Sequence, residues 1–162
     1  MAIVSLENTY RKIGELVNQK CVDQFALQGH KMTGAFEESL ELLTDDKGVS
    51  CIGNTYGIYV NVGVKPSEIK HPFARARIEG LTSFVEYRMG LSGKEAVGVA
   101  FAIARTHKEE GMPTRGSYQY SDNGKRTDFV DDAIEQAEPE IIDLLFDEFV
   151  SGIDVHTKIT GR

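Results

Sequence analysis

Residues 53–63 read Gly-Asn-Thr-Tyr-Gly-Ile-Tyr-Val-Asn-Val-Gly, with Tyr56, Ile58, Val60 and Val62 on alternate positions. A period of two bounded by glycines predicts a half-buried strand. Upstream, Val49-Ser50-Cys51-Ile52 follows the turn sequence Asp45-Asp46-Lys47-Gly48 and predicts another. Before that turn, the order Phe36, Glu38, Leu40, Leu42 fits a first strand, and a helix nearly as well. Short runs joined by short Gly, Asn and Asp turns make a small antiparallel sheet.

Helical patterns surround this sheet. Ser5 is placed to cap a helix over residues 5–28, in which Leu6, Ile13, Leu16, Val17, Val22 and Phe25 recur at helical spacing before the stop at Gly29. Residues 63–73, with Gly63, Pro66 and Pro72, predict a projecting loop. Ile78, Leu81, Val85 and Met89 predict a helix from Ala74 to Gly90, with a strand over 83–89 as the alternative. Ser92-Gly93-Lys94-Glu95 has the form of a capping box. The helix it opens is apolar nearly all round in its first half, which places it centrally with Phe101 in the core. Gly111 and Pro113 end it, and residues 112–126 predict a second loop. Thr127 is placed to cap a last helix, buried through Phe129, Val130, Ala133, Ile134 and Ala137. Pro139 suits a restart, after which Ile141, Ile142, Leu144, Leu145, Phe146 and Phe149 continue the pattern, and 152–162 read as a loose tail. The expected architecture is one α+β domain over 1–151: an N-terminal helix, a small antiparallel sheet, then packed helices.

A chain of 162 residues, 41% hydrophobic, suits one core. No stretch approaches the ~20 apolar residues of a membrane span. Met1 to Glu7 lacks the basic flank and apolar core of a secretory signal, so the chain is expected to remain where it is made. Cys21 and Cys51, with no CxxC, are expected to be reduced, buried and inert. The four histidines, at 30, 71, 107 and 156, lie in separate segments without metal-ligand spacing. His107, beside Arg105 and Lys108, is expected on the surface at a helix end that favours cations. Asp128, Asp131, Asp132 and Glu135 are spaced like paired carboxylates, but acids in a first turn oppose the helix dipole and need no metal. Neither a nucleophile with its base nor a phosphate-cradling glycine motif occurs. No catalytic, cofactor or metal residue is therefore assigned.

Charge is unevenly spread along the chain. Residues 1–63 hold 5 basic and 8 acidic side chains, 64–126 hold 11 and 7, and 127–162 hold 2 and 10, so the middle is net +4 and the end net −8. Lys70, His71, Arg75 and Arg77 lie near Phe73 and Phe84, and Arg115, Lys125 and Arg126 flank Tyr118 and Tyr120. Cations interleaved with aromatics suit single-stranded nucleic acid. A pI near 5.1 opposes a strong phosphate footprint. The other reading is complementarity between copies of the chain. There, Arg75, Arg77, Arg115, Lys125 or Arg126 of one copy face Asp131, Asp132, Glu135, Glu138, Asp143 or Asp147 of the next. Phe73 and Tyr118 would serve as anchors in loops that order on docking.

Three stretches carry a resemblance. Thr33-Gly34-Ala35-Phe36-Glu37-Glu38-Ser39-Leu40 is similar to a small-Gly-x-aromatic/Leu-x-x-Ser-Ile/Leu opening of a first strand. Ala100-Phe101-Ala102-Ile103-Ala104-Arg105, ending at Gly111-Met112-Pro113-Thr114, is similar to a helix that runs into a Gly-x-Pro turn. Arg126-Thr127-Asp128-Phe129-Val130-Asp131-Asp132-Ala133 is similar to an Arg-Pro-Phe-Leu-x-x-Ala helix start, with Thr127-Asp128 where that pattern has Pro. In these stretches, over much of residues 30–137, the chain resembles the neck and tail-completion proteins of tailed double-stranded DNA bacteriophages. The resemblance implies a structural protein of the virion, not an enzyme, made in the host cytoplasm and forming a homo-oligomeric ring in the head-to-tail connector. Its implied partners are its own copies, the portal or adjacent connector and tail proteins, and genomic DNA that passes through without specific binding. It implies no cofactor and no membrane. A small hydrolase acting on nucleic acid, with acids clustered in a pocket, and a host-directed inhibitor, a stable monomer, are the contrasting readings.

Overall fold

A computed structural model of the chain describes residues 6–45 and 47–160, and the side chains of 6–45 and 47–151. The expected Ser5 cap lies outside the described residues. Among the described residues six α-helices, α1 (Glu7–Leu27), α2 (Ala35–Glu38), α3 (Tyr56–Val62), α4 (Arg75–Met89), α5 (Gly93–Glu110) and α6 (Phe129–Thr160), accompany a two-stranded sheet, β1 (Glu41–Thr44) with β2 (Val49–Ile52). Mostly helical with a small antiparallel sheet, the described chain fits the α+β class. Its contacts divide it into two compact units, residues 1–26 with 34–54 and 129–162, and residues 27–33 with 55–128.

The first unit is built around three rings. Phe25 of α1 stacks on Phe36 of α2 at 4.2 Å, and Phe129 of α6 meets both edge-on at 5.3 and 5.4 Å. Offset and edge-on contacts suit the ring quadrupoles, and Cys21 of α1 and Ala133 and Ala137 of α6 are buried in the same unit. The hairpin follows from its turn: the Asp45 carboxylate accepts from the Lys47 and Gly48 amides, and the Asp45 amide donates to the Gly48 carbonyl. Glu41 thereby pairs with Ile52, and Thr44 with Val49. The hairpin sits on α1 at Gly14, where a Cβ would stand 2.5 Å from Val49 Cγ2 and 2.9 Å from Leu42 Cδ2. α6 runs antiparallel to α1: Thr9 donates to Glu148 at 3.0 Å, and Lys20 pairs with Glu140 at 3.2 Å.

In the second unit α4 packs on α5. Ala96, Ala100 and Ala104, four apart and fully buried, keep that side of α5 flat enough for Ile78 and Leu81 to lie against Ala100 and Ala104. Gly111 takes φ +86 at the end of α5, and its Cβ would strike the Val64 carbonyl, so glycine permits the Val64–Met112 bridge alongside. Residues 63–73 hold a 3₁₀ turn, Pro66–Glu68, and bury Ile69, so this segment is packed where a projecting loop was expected. Residues 112–126 contain a second 3₁₀ turn, Arg115–Tyr120.

Several expectations are corrected. Residues 56–62 form a helix, because β1 and β2 pair with each other and the alternating residues have no ladder to join. Tyr56, Ile58 and Val62 are 56–73% exposed, so their alternation does not mark a buried face. Phe36 lies in a helical turn, and the first strand begins only at Glu41. Residues 83–89 continue the helix read from Ala74 to Gly90, and the alternative strand there is not formed. Helix α5 starts after Ser92 without a side-chain cap bond. Its fully buried residues are the alanines Ala96, Ala100 and Ala104, and Phe101 stays 45% exposed. Ile134 is likewise exposed rather than buried. Pro139 interrupts nothing: it and Glu135, whose carbonyl would receive the missing amide, are both exposed, so water can take that carbonyl. The helix runs on to Thr160, through most of the expected tail.

Candidate interaction surfaces

On the first unit, the core takes one side of α6 and leaves another open. Asp131, Glu135, Glu138, Ile142, Leu145 and Phe149 alternate four and three residues apart, and all are exposed. That spacing puts them in one line along the helix. The line is acidic through its first half and apolar through its second, where Ile142, Leu145 and Phe149 are 57, 41 and 66% exposed and Phe146 beside them 63%. Asp132, half-buried, stands off this line.

The second unit presents cations and aromatics. Phe73 stacks on Phe101 with centroids 6.0 Å apart, and both rings are about half exposed. Lys70 is exposed nearby in sequence. Arg75 Nε pairs with Glu79 Oε1 at 2.7 Å in open solvent, a contact that contributes little. Arg77 is engaged within the unit: its Nη2 donates to His107 Nδ1 at 3.1 Å and approaches Met112 Sδ at 3.6 Å. A donor facing Nδ1 requires a neutral imidazole, and burial, then Arg77, lower His107 to about 4. His107 is thus a half-buried neutral ring and not the surface cation expected of it.

Around Arg126 a second internal cluster forms. Its Nη1 donates to the Gln28 carbonyl, and its own carbonyl accepts from His30 Nε2 at 3.2 Å. Burial, then Arg126, lowers His30 to about 4. Burial also lowers Arg126, which the Tyr56 phenol counters, while Arg88 lowers it further and Tyr118 counters again. Tyr118 and Arg126 are therefore brought together. Tyr120 contributes its carbonyl beside Gly29, whose φ of +72 and missing Cβ make room for it, and its ring is 60% exposed. The exposed Arg115 docks its amide on Glu110 Oε2 at 2.9 Å. Arg88, not singled out in the sequence, donates to the Gly29 and Lys31 carbonyls at 3.3 and 2.8 Å. Nothing local marks it, because both acceptors are main-chain atoms 57 to 59 residues away.

The units divide the charge more sharply than the three sequence segments do. The first holds 6 basic and 17 acidic side chains, net −11, and the second 12 and 8, net +4. Cys21 is buried and its thiol is pushed up to about 11 by burial and then by Cys51, whereas Cys51 is exposed rather than buried as expected. Among the described residues no three His, Cys, Asp or Glu side chains are grouped to hold a metal, and no helix is long and apolar enough to cross a membrane. Comparison with protein-family models, with curated proteins and with solved structures finds no match.

Proposed function

We propose that this protein is a structural component of a tailed-bacteriophage head-to-tail connector, working by packing against its own copies and the neighbouring ring proteins, not by turning over a substrate. The apolar half of the α6 stripe carries the reading. Ile142, Leu145, Phe146 and Phe149 form a contiguous helical face that the chain itself leaves open. Each is roughly half exposed, so covering one contributes on the order of 1 kcal/mol, effective only as a set. A helix face of this kind is what a partner helix or a second subunit covers. The division of charge between the units adds a means of fixing register, and unequal faces on one chain close into a ring when the rotation fits. A net charge of −7 suits a channel through which DNA passes without sticking. The sequence resemblance supplies the virion setting.

Negative-stain microscopy and mass photometry of the purified full chain, with mass spectrometry of purified tailed particles, test this. Closed rings of uniform subunit number, and the chain in the particles, are expected. A monomer that cleaves nucleic acid with Mg²⁺ would point instead to the hydrolase. A monomer without turnover would point to the inhibitor.

A further inference from the structure

Helix α5 carries the counterpart of the α6 stripe. Beside its buried alanines, Lys94, Val97, Phe101 and Arg105 share one exposed side, three and four residues apart, and Phe73 widens the apolar middle by stacking on Phe101. Gly98 lies on that side with nothing within 4 Å of where a Cβ would stand, so a second helix can approach closely there. This surface is apolar at its centre and basic at both ends. The α6 stripe is apolar in one half and acidic in the other, and it belongs to the unit with net −11 while α5 belongs to the unit with net +4.

We propose that the α6 stripe of one copy packs on the α5 face of the next. Ile142, Leu145 and Phe149 then cover Val97, Phe101 and Phe73, and Glu135 and Glu138, which lie together at one end of the stripe, meet one basic end of α5. Two different faces make this contact heterologous, so every copy offers one of each and the assembly grows head to tail. The inference rests on the proposed oligomer and adds which faces form it. A second copy is favoured over nucleic acid because the α6 stripe repels phosphate, while its acidic half and apolar half complement one basic end and the apolar middle of α5. The cation facing those acids is then Lys94 or Arg105, whichever the direction of packing brings to them, while Arg77 and Arg126 are held by their own unit.

Charge exchange tests it on the full chain. In sedimentation velocity, E135K/E138K and K94E/R105E should each raise the concentration for half-assembly by ~10-fold or more, since like charges then oppose each other. An equimolar mixture of the two variants should assemble within ~3-fold of the unmodified chain, because each altered face finds its complement on the other variant. Circular dichroism melts check that both variants fold, all four sites being exposed. If K94E/R105E assembles as the unmodified chain does, α6 pairs with something other than α5 and the inference falls while the oligomer stands. A mixture no better than either variant alone overturns it too. An unmodified chain that stays monomeric overturns the proposed function, and this contact with it.

Discussion

His30 and His107 are neutral for a shared reason: each is half buried with an arginine at its side, and each falls from an ordinary 6.5 to about 4. Between those values the unfolded chain binds protons that the folded chain refuses. Stability is then fully present above pH 6.5 and is lost as pH falls toward 4. In urea titrations the midpoint should drop between pH 6.5 and 5, and His30→Gln/His107→Gln should drop less; equal drops would show that these rings do not titrate in the transition. Phe101 gives a second residue-scale test. Half exposed against Phe73, it should cost about 0.5–1.5 kcal/mol on truncation to Ala, the scale of a ring pair, not the ~3–5 kcal/mol of a buried phenylalanine. Chemical denaturation separates the two. At this scale the sequence was partly legible. Phe25 and Phe129 were placed correctly as core, since each occupies a periodic face. Phe101 was not, because an all-round apolar helix does not show which side its neighbour will cover. The arginine clusters were illegible, since their acceptors are carbonyls, which every residue carries.

Two glycines in helices separate packing from propensity. Gly14→Ala gains ~1 kcal/mol of helix propensity but drives a Cβ to 2.5 Å from Val49, where overpacking costs ~1–3 kcal/mol, so net destabilisation is expected. Gly80→Ala in α4 meets nothing within 4 Å and should stabilise by ~0.5–1 kcal/mol. Opposite shifts in thermal midpoint are the expected result; stabilisation by both would mean the hairpin yields freely over α1. The hairpin turn was readable from Asp45 and Gly48 because its chemistry is local. The helix at 56–62 was misread because alternation specifies a strand only where a ladder partner exists, and partners are chosen by the whole fold. α4 and the end of α5 were legible to within a residue, since Gly90 and Gly111 both take positive φ as helix stops.

The whole molecule joins an acidic unit and a basic one, each with an exposed face that mixes apolar and charged groups. Exposed ion pairs contribute only ~0.2–1 kcal/mol each and are screened over about 3 Å at 1 M salt, so salt should loosen assembly while the apolar set retains part of it. The net −8 of residues 127–162 was visible in the sequence and sharpened once the hairpin acids joined most of it in one unit. That Ile142, Leu145 and Phe149 would stay exposed was not visible, because the same spacing describes a core face and a face awaiting a partner. Sedimentation velocity of the full chain beside Leu145→Asp/Phe149→Asp is the most direct measurement of the central claim. Association that rises with concentration in the first, and a folded monomer in the second, are the results expected; identical sedimentation of the two chains would contradict it.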